Sequence, residues 1–552
     1  MSIIKVYRAR KVVTMDPGRP AAEAVAVRDG RVVSTGTLES MKPWLTRYEH
    51  TIDETLGDKV ILPGLIDPHT HFSISAGFMA LCYVGPIESP GPHGMNPALR
   101  THEQVVERLR RACREEKPAA KPIVAWGLDP ALQGGHLHRD ELDAIAGERP
   151  VWVISYAPHF VYVNSAALAR IDVAEKSEVH GVQRYGDGRL NGVFVEIEAT
   201  RLALAGMRAE INRGGGVAGL KRMAEIGKSA GVTTTAEMIF GFTDFETEWE
   251  MHDKAVNDPA FPMRMALVPL ENPLYKVHGP DCAAFLESVK DRNSDKLFFH
   301  GIKFLSDGSF PAMSLRLNYP GYLDGGNGLR NDVPWDELHE RMLPFWKAGI
   351  QIHCHANGDE AIDASLDALA KLQSIHPRFD HRFTIEHYCI STPDQARRLA
   401  ALGGMASVNN YFVHYRSQLH QEHAFGPDRS EAIARLGSLE RAGVTFALHS
   451  DFSLVVVPMH PLTAAWAAVN RVALDGKTVM APGERIGVER ALRAITIDAA
   501  HVLGIERQVG SLEPGKLADF AVLDEDPHEV DPMKLKDIGV WGTALAGELQ
   551  PA

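Results

Sequence analysis

The residues with the clearest chemistry are two histidines, His69 and His71, which follow an apolar run at residues 60–66. Such a run is typical of a buried strand, whose successive side chains point to opposite faces. His69 and His71 are therefore expected on one face, where two imidazoles can bind one metal ion. Two unrelated polar residues in a loop are the alternative, which is disfavoured because further apolar runs end in the same chemistry.

Four further apolar runs carry an amine, imidazole or carboxylate side chain. Lys303 lies within the first, and His353 and His355 alternate along the second. The third ends in His387 and the fourth in Asp451. Nitrogen and oxygen donors without a thiolate suit zinc, and also manganese or iron. His353 lies on the same strand face as His355, but a hydrogen-bonded interior histidine explains it better than a metal ligand.

The order of the predicted elements indicates how these side chains are positioned. Apolar strands alternate with helical patterns, one of which opens with a capping box at residues 101–104. This order favours a parallel α/β architecture. In a (β/α)8 TIM barrel the carboxyl ends of the strands converge on one face, whereas an open sheet would spread them along an edge. We therefore predict an α/β fold with a (β/α)8 TIM barrel.

Both ends of the chain show short strand patterns. Two alternating runs flank Asp29-Gly30, a strong hairpin signal, and Pro514-Gly515 marks a turn near the other end. Because chain ends often meet, residues 1–60 and 505–552 are predicted to form one small β-sandwich domain. Residues 61–504 are predicted to form the metal-dependent barrel, with an insertion within about residues 72–230 that helps to shape the active-site mouth.

Composition excludes several classes of protein. The chain has 552 residues with 45% hydrophobic and 23% charged, which is ordinary for a globular protein, and its net charge of -13 disfavours nucleic-acid binding. No signal peptide or membrane span is predicted. The five cysteines form no C-x-x-C pair and fit free thiols in the cytoplasm. We expect a cytoplasmic protein that acts on a small molecule, without nucleic-acid or membrane partners, and a homodimer is left open.

Taken in order, the motifs resemble those of the amidohydrolase superfamily, in particular the branch typified by N-substituted formamide deformylases (amidohydrolase family 3). The resemblance extends over nearly the whole chain and is specific as a set. It rests on five stretches: Pro63-Gly-Leu-Ile-Asp-Pro-His-Thr-His71, Ile302-Lys-Phe-Leu-Ser-Asp-Gly-Ser309, His355-Ala-Asn-Gly-Asp359, Ile385-Glu-His387 and His449-Ser-Asp451. One departure is Asn357, which stands where the family usually has an apolar residue.

The resemblance implies a centre of one or two metal ions, Zn²⁺ with Mn²⁺ or Fe²⁺ as alternatives. The implied ligands are His69, His71, Lys303, His355, His387 and Asp451. His69, His71 and Asp451 would hold one ion, and the other two histidines would hold the second. Lys303, carbamylated by carbon dioxide, would bridge both ions, since a carbamate is an anionic ligand and an ammonium is not. A buried Lys303 paired with Asp307 is the alternative.

The resemblance also implies residues around the substrate. His159 matches a histidine that faces the family's pocket and is a candidate for stabilising the oxyanion, while Glu196 lies in a similar pocket segment. A purely structural role is an equal alternative for both. Phe72 and Arg471 are further candidates for substrate binding. Asp451 is expected to take a proton from the attacking water and to pass it to the leaving nitrogen.

Together these features predict a metal-dependent amidohydrolase that cleaves a non-peptide C–N bond by metal-activated hydroxide. The substrate is expected to be small and apolar, because the predicted mouth is rich in apolar and aromatic residues: Phe72, Phe78, Met79, Tyr83, Phe160, Tyr162, Phe310, Tyr411, Phe412 and Phe452. Core packing is the alternative role for these side chains, and Arg416 or Arg471 could instead select an acidic substrate. Deamination, ester hydrolysis and decarboxylation at the same site remain alternatives, and a non-enzymatic scaffold is disfavoured because every implied ligand position is filled.

Overall fold

The computed structural model describes residues 2–91, 94–118, 121–156, 160–171, 173, 179, 181–207, 210, 215–331, 333–453, 455 and 457–552. The chain divides into two compact units. The first comprises Met1–Thr70, Ala224–Asp451 and Met459–Ala552, and the second comprises His71–Met223 and Phe452–Pro458. The helix Gly216–Ser229 contains one of the boundaries.

One sheet of the first unit joins the two ends of the chain. Its eight strands are Ile4–Val13, Ala21–Arg28, Arg31–Gly36, His50–Asp53, Val60–Pro63, Phe520–Leu523, Val540–Leu545 and Glu548–Pro551. The antiparallel pairing of Ala21–Arg28 with Arg31–Gly36 confirms the predicted hairpin. Asp29 and Gly30 both have positive φ, of 52° and 73°, as a tight two-residue hairpin turn requires. Strands from both termini thus share one sheet, with Phe520–Leu523 paired to Val60–Pro63.

The first unit also contains two parallel sheets, which carry the candidate ligands. The first parallel sheet consists of Leu65–Thr70, Val232–Phe240, Arg264–Pro269 and Leu297–Phe299. The second parallel sheet consists of Ile302–Leu305, Ile352–Ala356, Thr384–His387, Met405–Val408 and Phe446–Leu448. Their strands are almost entirely buried, which explains why they appear in the sequence as continuous apolar runs.

Helices separate the strands of these parallel sheets, as expected for an α/β fold. The helices of the first unit are Leu38–Leu45, Phe245–Val256, Glu271–His278, Cys282–Val289, Leu338–Lys347, Asp359–Ile375, Pro393–Ala401, Tyr411–Tyr415, Ser417–His420, Pro427–Glu431, Leu436–Ala442, Pro461–Asn470, Val488–Ala494 and Ile497–Val502. Several begin with capping side chains, such as Thr392 before Pro393–Ala401, which accepts a hydrogen bond from Gln395 N. The α/β class is therefore confirmed.

The second unit has a sheet of its own. A separate two-stranded antiparallel pair, Ser89–Gly91 with Gly94–Asn96, lies between the first two strands of that sheet along the chain. The six strands of the sheet are Cys82–Tyr83, Ile123–Leu128, Val151–Ser155, Phe160–Val163, Val182–Arg184 and Leu190–Val195. The helices of the second unit are Phe72–Phe78, His102–Glu115, Arg139–Ala146, Ser165–Leu168 and Glu196–Ala205. The predicted capping box at the start of His102–Glu115 is confirmed, because the Thr101 hydroxyl accepts from Gln104 N. Among the described residues, no helix combines the length and apolar character needed to cross a bilayer.

Candidate metal centre

His69 occupies the carboxyl end of the strand Leu65–Thr70 and is fully buried. Its Nδ1 lies 2.6 Å from Glu386 Oε2, so this nitrogen donates its proton to the carboxylate. The lone pair of the imidazole is then on Nε2. That atom lies 3.5 Å from Lys303 Nζ and 3.6 Å from Asp451 Oδ1. Three side chains that the sequence nominated as ligands thus meet at one imidazole nitrogen.

Lys303 lies in the middle of the strand Ile302–Leu305 and is 1% exposed. Burial lowers the pKa of its amine, although the charges of Glu386 and Asp451 raise it. The predicted alternative, an ion pair with Asp307, is not formed in the described part of the chain. The Asp307 carboxylate instead accepts three backbone N–H groups, from Arg316, Asn357 and Gly358. Asp307 therefore anchors loops, and the Lys303 amine faces the candidate centre.

Asp451 follows the strand Phe446–Leu448 by three residues and is the last residue of the middle segment of the first unit, Ala224–Asp451. Its backbone N–H donates to the carbonyl of His69 at 3.0 Å, and its Oδ2 lies 3.8 Å from His387 Nδ1. Asp451 and His387 both have positive φ, of 60° and 74°. Such backbone conformations cost about 1–3 kcal/mol in residues other than glycine and cluster at functional sites. The strain turns both side chains toward the same place.

The rings of His355 and His387 lie 4.6 Å apart between centroids, at the ends of neighbouring parallel strands. His355 Nε2 lies 3.1 Å from the carbonyl oxygen of Gly308 and 2.9 Å from Asn357 Nδ2. Asn357, the departure from the family pattern, therefore contacts the His355 ring directly. The pKa of His387 lies well below its usual value, mainly because the ring is buried and also because other imidazoles lie nearby. The ring is therefore neutral and can serve as a metal ligand.

Two residues of the centre were not singled out from the sequence. Each carboxylate oxygen of Glu386 accepts a hydrogen bond from an imidazole. Burial raises the pKa of Glu386, but the Lys303 charge and the His353 hydrogen bond outweigh burial and lower the pKa to about 2. His449 stacks on His69 with centroids 4.4 Å apart, and the donor atoms of His69, His387 and His449 all lie within 4.8 Å of one another. The sequence could have pointed to both residues, because Glu386 precedes the predicted ligand His387 and His449 lies two residues before the predicted ligand Asp451.

The second unit begins with His71, which is 6% exposed and donates its backbone N–H to the carbonyl of Phe452. Phe72 follows as the first residue of the helix Phe72–Phe78 and is fully buried. Glu196 opens the helix Glu196–Ala205, and its side chain lies outside the described part of the structure. His159 also lies outside the described residues. The roles proposed for these four residues stay predictions.

Arg471 has a different role from the expected contact with substrate. It is fully buried, and its guanidinium donates hydrogen bonds to the backbone carbonyls of Met480, Ala434, Ile433 and Glu431. A guanidinium has five N–H donors, and four bonds to carbonyls leave it little capacity for a ligand carboxylate. Arg471 therefore holds loops together, and the expectation of substrate binding is corrected.

Comparison with known proteins adds independent evidence. Residues 52–549 match the sequence model of a family described as the amidohydrolase family. An N-substituted formamide deformylase from Arthrobacter pascens is 25% identical over 557 residues, which cover 97% of this chain and 96% of that protein. The protein LONG AFTER FAR-RED 3 from Arabidopsis thaliana is 28% identical over 525 residues, covering 93% of this chain and 85% of that protein.

A solved structure gives a matching fold. An uncharacterized metal-dependent hydrolase from Pyrococcus horikoshii superposes with a TM-score of 0.71 at 20% sequence identity. The match covers 96% of this chain and 99% of that one. The likeness in fold therefore extends over nearly the whole length of both chains.

Proposed function

This chain belongs to the amidohydrolase family, and from that premise we propose that it hydrolyses the amide bond of a small, largely apolar molecule. As an amidohydrolase it is a metal-dependent hydrolase that acts on carbon–nitrogen bonds other than peptide bonds. The observation that carries the proposal is the convergence of the Lys303 amine and the Asp451 carboxylate on His69 Nε2, at 3.5 and 3.6 Å.

We propose that the two parallel sheets form one (β/α)8 barrel. Three contacts support closure, one at the first seam and two at the second. An isolated parallel bridge links Leu270, after the third strand of the first parallel sheet, to Lys303 in the second. At the other seam, Asp451 N–H donates to the carbonyl of His69, and the Asp67 carboxylate accepts from Ser450 N at 3.2 Å. Both seams lie next to candidate ligands, so closure would itself assemble the centre.

The donor set fits one or two divalent metal ions of the zinc, manganese or iron type, because it offers imidazole and carboxylate donors and no thiolate. The proposed ligands are His69, His71, Lys303, His355, His387 and Asp451. Lys303 is proposed as a carbamate, formed when the neutral amine adds to carbon dioxide and releases one proton. When bound, such ions supply Lewis acidity and lower the pKa of a water to near neutrality.

The residues of the chain would then carry the proton transfers. Asp451 is the proposed general base, because its carboxylate lies among the proposed ligands, with Oδ1 3.6 Å from His69 Nε2. It would take a proton from the attacking water and donate it to the leaving nitrogen, so that amide and water yield carboxylic acid and amine. His387, a neutral imidazole within 3.8 Å of Asp451 Oδ2, would keep that carboxylate oriented.

An aromatic cluster supports the apolar character of the substrate. Phe310 stacks on Phe412 and His420 with centroids 4.6 and 4.4 Å apart, and contacts Phe425 at 5.7 Å. Phe310 and Phe412 come after the carboxyl ends of strands of the second parallel sheet, as Asp451 does, and all four side chains of the cluster are buried. Arg416, which is 1% exposed, lies in the same part of the chain and favours an acidic amide as the second candidate substrate.

A matched pair of substrates separates these two candidates. We expect an aryl or alkyl amide to have a higher kcat/KM than the same amide bearing a carboxylate, because desolvating an unpaired carboxylate against aromatic rings is unfavourable. The measurement is kcat/KM for both compounds in the wild-type enzyme and in Arg416→Gln. A strong preference for the charged compound that disappears in Arg416→Gln would show that the substrate is acidic.

Metal dependence is the experiment that tests the proposed function as a whole. Elemental analysis should find about one to two transition-metal ions per chain, and removal by a chelator should abolish amide hydrolysis until Zn²⁺ or Mn²⁺ is restored. Mg²⁺ is the control, since it prefers oxygen ligands and should restore little activity. Full activity of verified metal-free protein would contradict the proposal.

We also propose a cytoplasmic setting and a small-molecule substrate for this protein. All five cysteines are free thiols, which supports the cytoplasm as the compartment. The net charge of -13 supports a small-molecule substrate and argues against a nucleic-acid partner.

A further inference from the structure

A buried carboxylate joins two histidines of the centre. Glu386 Oε2 accepts from His69 Nδ1 at 2.6 Å, and Glu386 Oε1 accepts from His353 Nδ1 at 2.7 Å. All three residues are 0% exposed. They come from three different strands, Leu65–Thr70, Ile352–Ala356 and Thr384–His387, of the two parallel sheets. The bridge is therefore closed to water and spans the interior between the sheets.

We propose that Glu386 is a positioning residue that sets His69 for metal binding, and that His353 in turn holds Glu386. This inference rests on the proposed function. A carboxylate can only accept hydrogen bonds, so it requires the Nδ1–H tautomer in both rings. In His69 this tautomer leaves the lone pair on Nε2, the atom nearest to Lys303 and Asp451.

His353 has a clear part in this arrangement. It lies in register with Thr384, and His355 lies in register with Glu386, so His353 and His355 share one strand face. His355 bonds to Gly308 and Asn357, whereas His353 bonds to the Glu386 carboxylate. The ring of His353 also packs against His300, with centroids 5.6 Å apart, so we assign His353 to holding Glu386 and His355 to the metal. With each oxygen held by one imidazole, the carboxylate cannot rotate without losing a bond.

The decisive variant is Glu386→Gln, which keeps the shape of the side chain. A glutamine amide has one acceptor oxygen and one donor NH₂, so it can satisfy only one of the two Nδ1–H groups. The other ring must turn or change its tautomer. Loss of a hydrogen-bond partner to a metal-binding histidine typically costs about 10–100-fold in metal affinity. We expect a loss of that size for Zn²⁺.

The experiment measures Zn²⁺ affinity by competition with a chromogenic chelator, and the visible absorption of the Co²⁺-loaded full-length protein, in wild type and Glu386→Gln. The expected result is weaker Zn²⁺ binding and an altered Co²⁺ spectrum. Glu271→Gln is the matched control, because Glu271 is also a buried carboxylate but pairs with Arg341 outside the centre. Its Zn²⁺ affinity and Co²⁺ spectrum should be those of wild type.

The outcomes separate the two proposals. Wild-type affinity and spectrum in Glu386→Gln would overturn the positioning role while leaving the proposed function intact. A wild-type protein that binds neither Zn²⁺ nor Co²⁺ would overturn the metal centre, and the positioning role with it. If Glu386→Gln does not fold, Glu386→Asp keeps the charge but shortens the reach. It too should weaken Zn²⁺ binding, and unchanged affinity there would overturn the positioning role.

Discussion

Lys303→Ala is expected to lose most of the bound metal and at least about 10³-fold in kcat. The reason is that a metal ion supplies several kcal/mol of transition-state stabilisation, and each 1.36 kcal/mol corresponds to a factor of ten in rate. The Lys303 side chain is buried, and its Nζ lies 3.5 Å from His69 Nε2. Its loss therefore removes one of the proposed metal ligands. The measurements are metal content by elemental analysis and kcat on an amide substrate. A short carboxylic acid added to the variant should restore part of both.

Lys296→Ala is the matched control for this prediction. Lys296 is another lysine of the same unit. Its amine donates hydrogen bonds to the backbone carbonyls of Asp258 and Phe261, neither of which is a proposed ligand. We expect Lys296→Ala to keep its metal. Retention of metal and normal kcat in Lys303→Ala would contradict the bridging role, as would a plain ammonium at Lys303 in a high-resolution structure of the metal-loaded enzyme. In that case Glu196 or Glu237 becomes the candidate for a bridging carboxylate.

Asp451→Asn is expected to reduce kcat by about 10²–10⁴-fold, the usual cost of losing a general base. Asparagine is the informative replacement because Asp451 has a φ of 60°, a conformation that asparagine tolerates well. The backbone turn that follows the strand Phe446–Leu448 is therefore preserved while the proton acceptor is removed. The measurements are kcat and the metal content of the same preparation, which separate the loss of the base from the loss of a ligand.

Asp475→Asn serves as the control for Asp451→Asn. Its carboxylate closes an exposed turn by accepting from Thr478 and Lys477, and the substitution should leave kcat unchanged. If Asp451→Asn retains its metal and turns over at a near-normal rate, the general base must be another residue. His159, predicted from the sequence to face the substrate, would be the first to test.

The sequence by itself determined which kinds of side chain stand at the ends of buried strands. His69, Lys303, His387 and Asp451 could each be located because an apolar run and the residue that ends it are local features of the backbone. The hairpin at Asp29-Gly30 was predictable for the same reason, since its two positive φ values depend on the turn residues alone. The family was likewise evident from the order of short motifs.

Only the tertiary structure decided which atoms face each other. In the sequence, Glu386 is only the middle residue of the motif Ile385-Glu-His387. Its hydrogen bond to His69 joins two residues that are 317 positions apart. Arg471 looked equally suited to bind a substrate carboxylate, but four backbone carbonyls surround its guanidinium in the folded chain. The stacking of His449 on His69 is likewise a contact between residues that are far apart in the sequence. Such contacts depend on the register of the strands in the parallel sheets, which is set by packing between distant segments and leaves no local pattern in the sequence.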